Sequence, residues 1–347
     1  LKKIKKTNLL TPELPNKPKG LIEGETSGIL NWNDLQYPQF YEIYRTLLSN
    51  FWTPFEINMS DDIKMWHKLN EHETRAFLNI IGLLSILDSV QPKFLSSVKE
   101  YLSDPSAQAI LSIIEQQEVV HNQSYSYVLS SIEKREVQNR AFEMARTEKL
   151  IYERNKLVID LYEEFRVNPT IETLCNALAG SVVLEGINFY SGFAFFYNLA
   201  RNQKMVKTST MLSYINKDEL THAFFVTMLL KLLMQERPEI NKDGKFNIFV
   251  NDLFSKATEL EITWAEFALS EIEDIDMNEM KDYIKYRANK CLNMLGFEAI
   301  YYGVSENSMP WIRIFSDENI NLGKTDFFEN KSRQYSKVTD DNGFDDL

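Results

Sequence analysis

Two of the four histidines in this chain close the same four-residue step: Glu118-Val119-Val120-His121 and Glu219-Leu220-Thr221-His222. On an α-helix, positions three apart share a face. Each step therefore presents a carboxylate and an imidazole side by side, able to ligate one metal ion or two adjacent ones. Two further acids sit in the apolar register of other helix-like stretches, Asp88 with Ile81 and Leu84, and Glu185 with Val182 and Phe189. A carboxylate buried there without a partner is costly or takes up a proton, and a cation removes that cost. Four carboxylates balance two divalent ions, and oxygen-rich ligand sets with imidazole favour iron or manganese over zinc. A single acid on a helix stripe is more commonly a solvated face, and either step alone is a weak signal. The order acid, E-x-x-H, acid, E-x-x-H across four helices is the pattern of di-iron and di-manganese carboxylate bundles.

Those side chains need long helices to hold them. Twelve glycines and ten prolines are few for 347 residues, and the apolar residues recur at three and four, not at two. The periodicity predicts helices at roughly 34–50, 61–91, 106–132, 134–166, 170–200, 205–236, 245–272 and 276–296, with Pro92 ending or kinking the second near Gln91. Helices of this length with short connections suit neighbours in a bundle, and no repeat of solenoid length is found. The expected fold is all-α, a ferritin-like helical bundle with additional helices. Its expected parts are an N-terminal extension (1–30), the di-metal helical domain (31–325) and a flexible C-terminal tail (326–347), polar and acid-ended with isolated apolar residues at Tyr335, Val338, Phe344 and Leu347.

One turn beyond the first step stands Tyr125, on the same face as Glu118 and His121. With it the chain resembles the small (beta) subunits of aerobic ribonucleotide reductases. The resemblance is carried by Leu87-Asp88-Ser89-Val90-Gln91, by Glu118 to Ser126, by Glu185-Gly186-Ile187-Asn188-Phe189-Tyr190-Ser191-Gly192-Phe193 and by Lys217-Asp218-Glu219-Leu220-Thr221-His222. It runs over roughly residues 35–325.

The resemblance implies that Asp88, Glu118 and His121 bind the metal nearer the tyrosine, that Glu185, Glu219 and His222 bind the other, and that Glu118 and Glu219 bridge. It implies two iron or two manganese ions per chain. Tyr125 becomes the stable tyrosyl radical, inside an apolar pocket of Phe189, Phe193 and Ile215 that keeps out water and reductants. The bland alternative for Tyr125 is a core tyrosine with a bonded hydroxyl. Trp52, in Asn50-Phe51-Trp52-Thr53-Pro54, resembles the tryptophan of the family's radical-transfer path, with Asp218 as its relay to His121; a lone Trp52 is otherwise plain core. Tyr335 matches the tyrosine that hands the radical on, and Phe344 to Leu347 the peptide that docks on the large (alpha) subunit. Lys217 stands where the family commonly has arginine, and Ile114 where one branch has tryptophan. The absence of that tryptophan, with Phe189 to Phe193 and Asn289 to Phe297, makes the chain look more like the class Ib branch, activated either as di-iron by oxygen or as di-manganese with a small flavodoxin-like protein.

The function implied is that of a ribonucleoside-diphosphate reductase small subunit, which makes an oxidising equivalent and delivers it to the large subunit, where ribonucleotides become deoxyribonucleotides. A homodimer is expected. A ferritin-like ferroxidase or another di-metal oxidase is the rival, though a ferroxidase needs neither Trp52 nor a docking tail. Fifty acidic against 38 basic residues, a formal charge of −12, disfavour a nucleic-acid partner. No apolar run approaches the roughly 20 residues that span a bilayer, and the lysine- and proline-rich start has no signal-peptide core. Cys175 and Cys291 are too far apart in sequence to suggest a framework of disulfides or thiolate ligands. A reducing cytoplasm is the expected location.

Overall fold

Local capping decides where the predicted helices begin and break. The structure, a computed structural model, describes residues 2–315; Tyr335 and the tail 326–347 lie outside the described residues. The expected all-α bundle forms, and among the described residues extended pairing is confined to isolated bridges such as Lys3 with Thr170 and Ile22 with Leu102. The helices in chain order are α1 (Gln39–Ser49), α2 (Ser60–Trp66), α3 (Glu71–Lys99), α4 (Pro105–Ile132), α5 (Arg135–Thr147) and α6 (Lys149–Val167). They continue with α7 (Ile171–Val183), a π-helical turn (Leu184–Asn188), α8 (Tyr190–Arg201), α9 (Val206–Glu236), α10 (Lys245–Leu269) and α11 (Met277–Leu295).

Several predicted boundaries are corrected. The stretch expected as one helix over 61–91 is α2 and α3, because Asn70 starts a new helix: its side chain accepts from the Glu73 amide at 2.9 Å while Glu73 accepts from the Asn70 amide at 3.0 Å. This reciprocal capping satisfies two amides that would otherwise interrupt a buried helix start. The helix expected over 134–166 breaks at Glu148, which is extended (φ −62°, ψ 124°) and accepts from the Leu150 amide to cap α6.

Pro92 does not end α3, which runs on to Lys99. Leu87, Asp88, Gln91, Phe94, Leu95 and Val98 are buried on both sides of the proline, and that packing outweighs the lost amide bond to the Asp88 carbonyl. The helix expected over 170–200 is interrupted by the π turn that contains Glu185.

The connection from α3 to α4 spans only residues 100–104, so the second helix must reverse and lie along the first. Asp104 caps the start of α4 by accepting from the Ser106 and Ala107 amides. Helices α3 and α4 pack along each other, α7 and the π turn pack on α9, and α4 meets α9 across the middle. These are the elements that carry the four acids and two histidines. Residues 2–30 lie along the body: Ile4, Leu21 and Ile22 are buried, and the Leu21 amide donates to Glu236 at 2.8 Å.

Candidate metal centre

Each contributing helix buries one face against the others, and the six candidate ligands project from those faces. Asp88 comes from α3, Glu118 and His121 from α4, Glu185 from the π turn, and Glu219 and His222 from α9. All six are at most 1% exposed. They form two overlapping groups, Asp88-Glu118-His121-Glu219 and Glu118-Glu185-Glu219-His222, in each of which one ligating atom per residue lies within 4.8 Å of all the others. Glu118 and Glu219 belong to both groups.

The two imidazoles are oriented alike. His121 Nδ1 faces inward, 3.0 Å from Glu219 Oε1, 3.7 Å from Glu118 Oε2 and 3.9 Å from Asp88 Oδ2. His222 Nδ1 lies 3.0 Å from Glu219 Oε2, 3.1 Å from Glu118 Oε1 and 4.0 Å from Glu185 Oε2. Each Nε2 points the other way, to Asp218 Oδ2 at 3.1 Å for His121 and to Gln117 Oε1 at 2.9 Å for His222. Both outer partners are oxygen acceptors, which places a proton on Nε2 and turns Nδ1 toward the carboxylates, where a cation would take the place of the Nδ1 proton. A ring whose outer nitrogen is held by a carboxylate or amide is the usual disposition of a metal-binding histidine.

The residues fit a pair of cations. Both oxygens of Asp88, both of Glu118, one each of Glu185 and Glu219, and His121 Nδ1 are buried and make no hydrogen bond. So many unsatisfied acceptors in one dry place are costly unless positive charge is shared among them. The protonation pattern says the same. Burial, reinforced by the charges of Glu118 and Glu219, pushes the Asp88 and Glu185 carboxyls well above the usual range. Burial works against charge on His222, yet Glu118 and Glu219 lift it to about 9; His121 is raised likewise against burial, by Glu219 and Asp218. Glu219 is held well below the usual carboxylate range in spite of burial, chiefly by His121. The cluster gathers protons to offset charge that divalent ions offset better. Manganese(II) at about a thousand times its dissociation constant is therefore expected to stabilise the metal-free protein by about 4 kcal/mol for each site filled. Thermal melts with and without the ion check this, and an unchanged midpoint would contradict it.

Tyr125 is fully buried one turn along α4. Its hydroxyl makes no normal hydrogen bond, but burial and the Asp88 carboxylate hold its proton far more tightly than in an ordinary phenol. Phe189, Phe193 and Ile215 are buried in the same core, the two phenylalanine rings stacked 5.7 Å apart. Trp52 donates its indole N–H to Asp218 Oδ2 at 2.9 Å, the same oxygen that meets His121 Nε2. The Trp52 and His121 rings lie 6.2 Å apart and nearly parallel. Tryptophan, aspartate and histidine thus form one continuous buried chain. Lys217 is partly buried and Ile114 fully buried on the ligand helices.

Two glutamines beside the candidate ligands carry no assignment from sequence. Gln117 links both imidazoles, accepting from His222 and donating to Asp218 Oδ1 at 3.5 Å and to the Leu47 carbonyl at 3.3 Å. Gln91 donates to Glu185 Oε1 and to Ser181 Oγ, and Tyr162 donates to Gln91 Oε1. Their only signal in the sequence is position: Gln117 directly precedes Glu118, and Gln91 lies one turn after Asp88.

A family profile described as "Ribonucleotide reductase, small chain" matches residues 29–308. The ribonucleoside-diphosphate reductase subunit beta of Halalkalibacterium halodurans is 47% identical over 348 residues, covering 100% of each chain. The solved ribonucleotide reductase R2 subunit from Clostridium botulinum superposes with a TM-score of 0.88 at 33% identity, over 90% of this chain and 99% of that one. The dimanganese(II) NrdF of Streptococcus sanguinis superposes with a TM-score of 0.74 over 83% of this chain and 98% of its own, a likeness of fold at 23% identity.

Proposed function

The chain belongs to the ribonucleotide reductase small-chain family, and on that premise we propose that its six buried acids and histidines hold the two metal ions while Tyr125 is the side chain they oxidise. Its activity is that of the small subunit of a ribonucleoside-diphosphate reductase, working with a large subunit, and its cofactor is a di-iron or di-manganese centre. The observation that carries the assignment of residues is the overlap of the two four-residue groups at Glu118 and Glu219.

When bound, the pair of ions supplies the one-electron oxidising power that no amino-acid side chain has by itself. The protein's part is positioning and protection. Nε2 contacts to Asp218 and Gln117 fix the two imidazoles so that Nδ1 faces the ions. Buried in dry surroundings, Tyr125 is held as the protonated phenol, and its oxidation to a neutral radical releases a proton along with the electron. Full burial keeps water and reductants from the oxidised ring. Asp218 accepts from Trp52 and meets His121 with one oxygen, which supports a path for the oxidising equivalent from the centre toward Trp52.

From there the proposed route passes through Tyr335 to the large subunit, docked by the tail 326–347. Further parts of the reading are a homodimer, a flavodoxin-like activator if the ions are manganese, and a cytoplasmic setting, to which the two buried unpaired cysteines Cys175 and Cys291 are suited. No helix among the described residues is long and apolar enough to cross a membrane.

Trp52→Phe tests the path. It removes the indole N–H from Asp218 and keeps an aromatic ring at a position 8% exposed. Metal content and the tyrosyl signal are expected to match wild type, with turnover in the presence of the large subunit falling at least about 100-fold. Turnover within twofold of wild type would remove Trp52 from the route.

A further inference from the structure

The turn that carries Glu185 is held by charged groups outside the set of six candidate ligands. A π-helical turn is one residue wider than an α turn, and such turns survive where neighbours satisfy the backbone they displace. Here two of its carbonyls each accept from a buried arginine. Arg154 on α6 donates through Nη2 to the Asn188 carbonyl, through Nε to Glu261 Oε2 at 2.6 Å and through Nη1 to Asn155 Oδ1 at 2.8 Å. The other oxygen of Glu261, on α10, accepts from Ser191 at the start of α8. Helices α6, α10 and α8 are thereby tied in a ring around the end of the π turn.

On its other side, Arg287 of α11 donates through Nε to the Gly186 carbonyl at 3.1 Å and lies 3.4 Å over the Tyr190 ring. Gly186 has no room for a larger residue, since a Cβ there would stand 2.3 Å from Cys291 Sγ. Arg154, Glu261 and Arg287 are at most 2% exposed. Buried charges are costly relative to apolar packing, so three of them around one turn point to a geometric task.

We propose that Arg154, held by Glu261, and Arg287 are positioning residues for the metal centre: by holding the Asn188 and Gly186 carbonyls they fix the π turn and so set the register from which Glu185 reaches its metal. The inference rests on the reading of Glu185 as a ligand of the second position only, the group it shares with His222. Loss of the clamp therefore weakens one metal selectively, which a general loss of packing does not.

The test is manganese(II) titration of the metal-free full chain, followed by electron paramagnetic resonance, with hydrogen exchange across residues 184–192. Arg154→Lys keeps the positive charge beside Glu261 but lacks the planar fork that reaches Asn155 and Asn188 together. Arg287→Lys makes the same test from α11 and stands in should the first variant fail to fold. The expected result is one ion bound within twofold of wild-type affinity, the second at least tenfold weaker, a six-line signal from the lone ion, and amide exchange across the turn at least tenfold faster. Two ions bound with wild-type affinity, or both weakened together, would overturn the inference while leaving the ligand reading intact. A wild-type chain that binds no manganese would overturn the ligand reading, and the inference with it.

Discussion

Glu219→Ala is expected to strip both metal ions from the protein, lowering affinity by more than about 100-fold at each position. Glu219 faces both imidazoles, at 3.0 Å from each Nδ1, and belongs to both overlapping groups. Its loss removes the most acidic oxygen pair of the cluster and the chief charge holding His121 protonated in the metal-free chain. Asp88→Ala, by contrast, touches only the group containing His121, so one ion is expected to remain. Glu219→Gln separates charge from volume: it fills the same space with a neutral amide that has one carbonyl oxygen and no negative charge, and should lose metal nearly as completely as the alanine variant. Elemental analysis after reconstitution and gel filtration checks all three. A Glu219→Ala protein that keeps two ions would show that the overlap does not reflect bridging.

Tyr125→Phe is expected to keep its metal and lose its activity. The deleted hydroxyl makes no hydrogen bond of normal geometry and interacts chiefly with Asp88, a side chain that a bound cation would also satisfy, so stability of the metal-loaded protein should change by no more than about 1 kcal/mol. Turnover with the large subunit, however, should fall by at least about 1,000-fold, the scale seen when a group that performs chemistry is removed and binding is retained. The tyrosyl resonance should vanish with it. Other buried tyrosines serve as controls. Tyr162→Phe removes a hydroxyl that donates to Gln91, and should leave a tyrosyl signal in place. A radical of undiminished yield in Tyr125→Phe would move the oxidised site elsewhere.

The helices that carry the candidate ligands were legible because metal chemistry restricts residue type and helix geometry restricts spacing. Glu118 and His121, like Glu219 and His222, sit three apart, and no tertiary information is needed to place them together. Asp88 and Glu185 stood out as acids in apolar register, and the structure buries both in the cluster. What the sequence hid depends on contacts between distant segments. Gln117 and His222 are 105 positions apart, and Arg154 and Glu261 are 107 apart. The π turn has no local signature, since its backbone is held by arginines from α6 and α11.

Helix ends failed for two opposite reasons. The Asn70 and Glu148 caps are local signals passed over in a long apolar period. Pro92 is a local signal that burial of Gln91, Phe94 and Leu95 overrides.

The six buried side chains are expected to hold two ions beside an oxidisable Tyr125. The most direct measurement is metal analysis with electron paramagnetic resonance on the wild-type chain, reconstituted separately with iron plus oxygen and with manganese plus a flavodoxin-like activator. About two ions per chain, and in at least one preparation a tyrosyl signal that Tyr125→Phe abolishes, is the predicted result. One ion or none per chain, or two ions without a tyrosyl signal in either preparation, would contradict it.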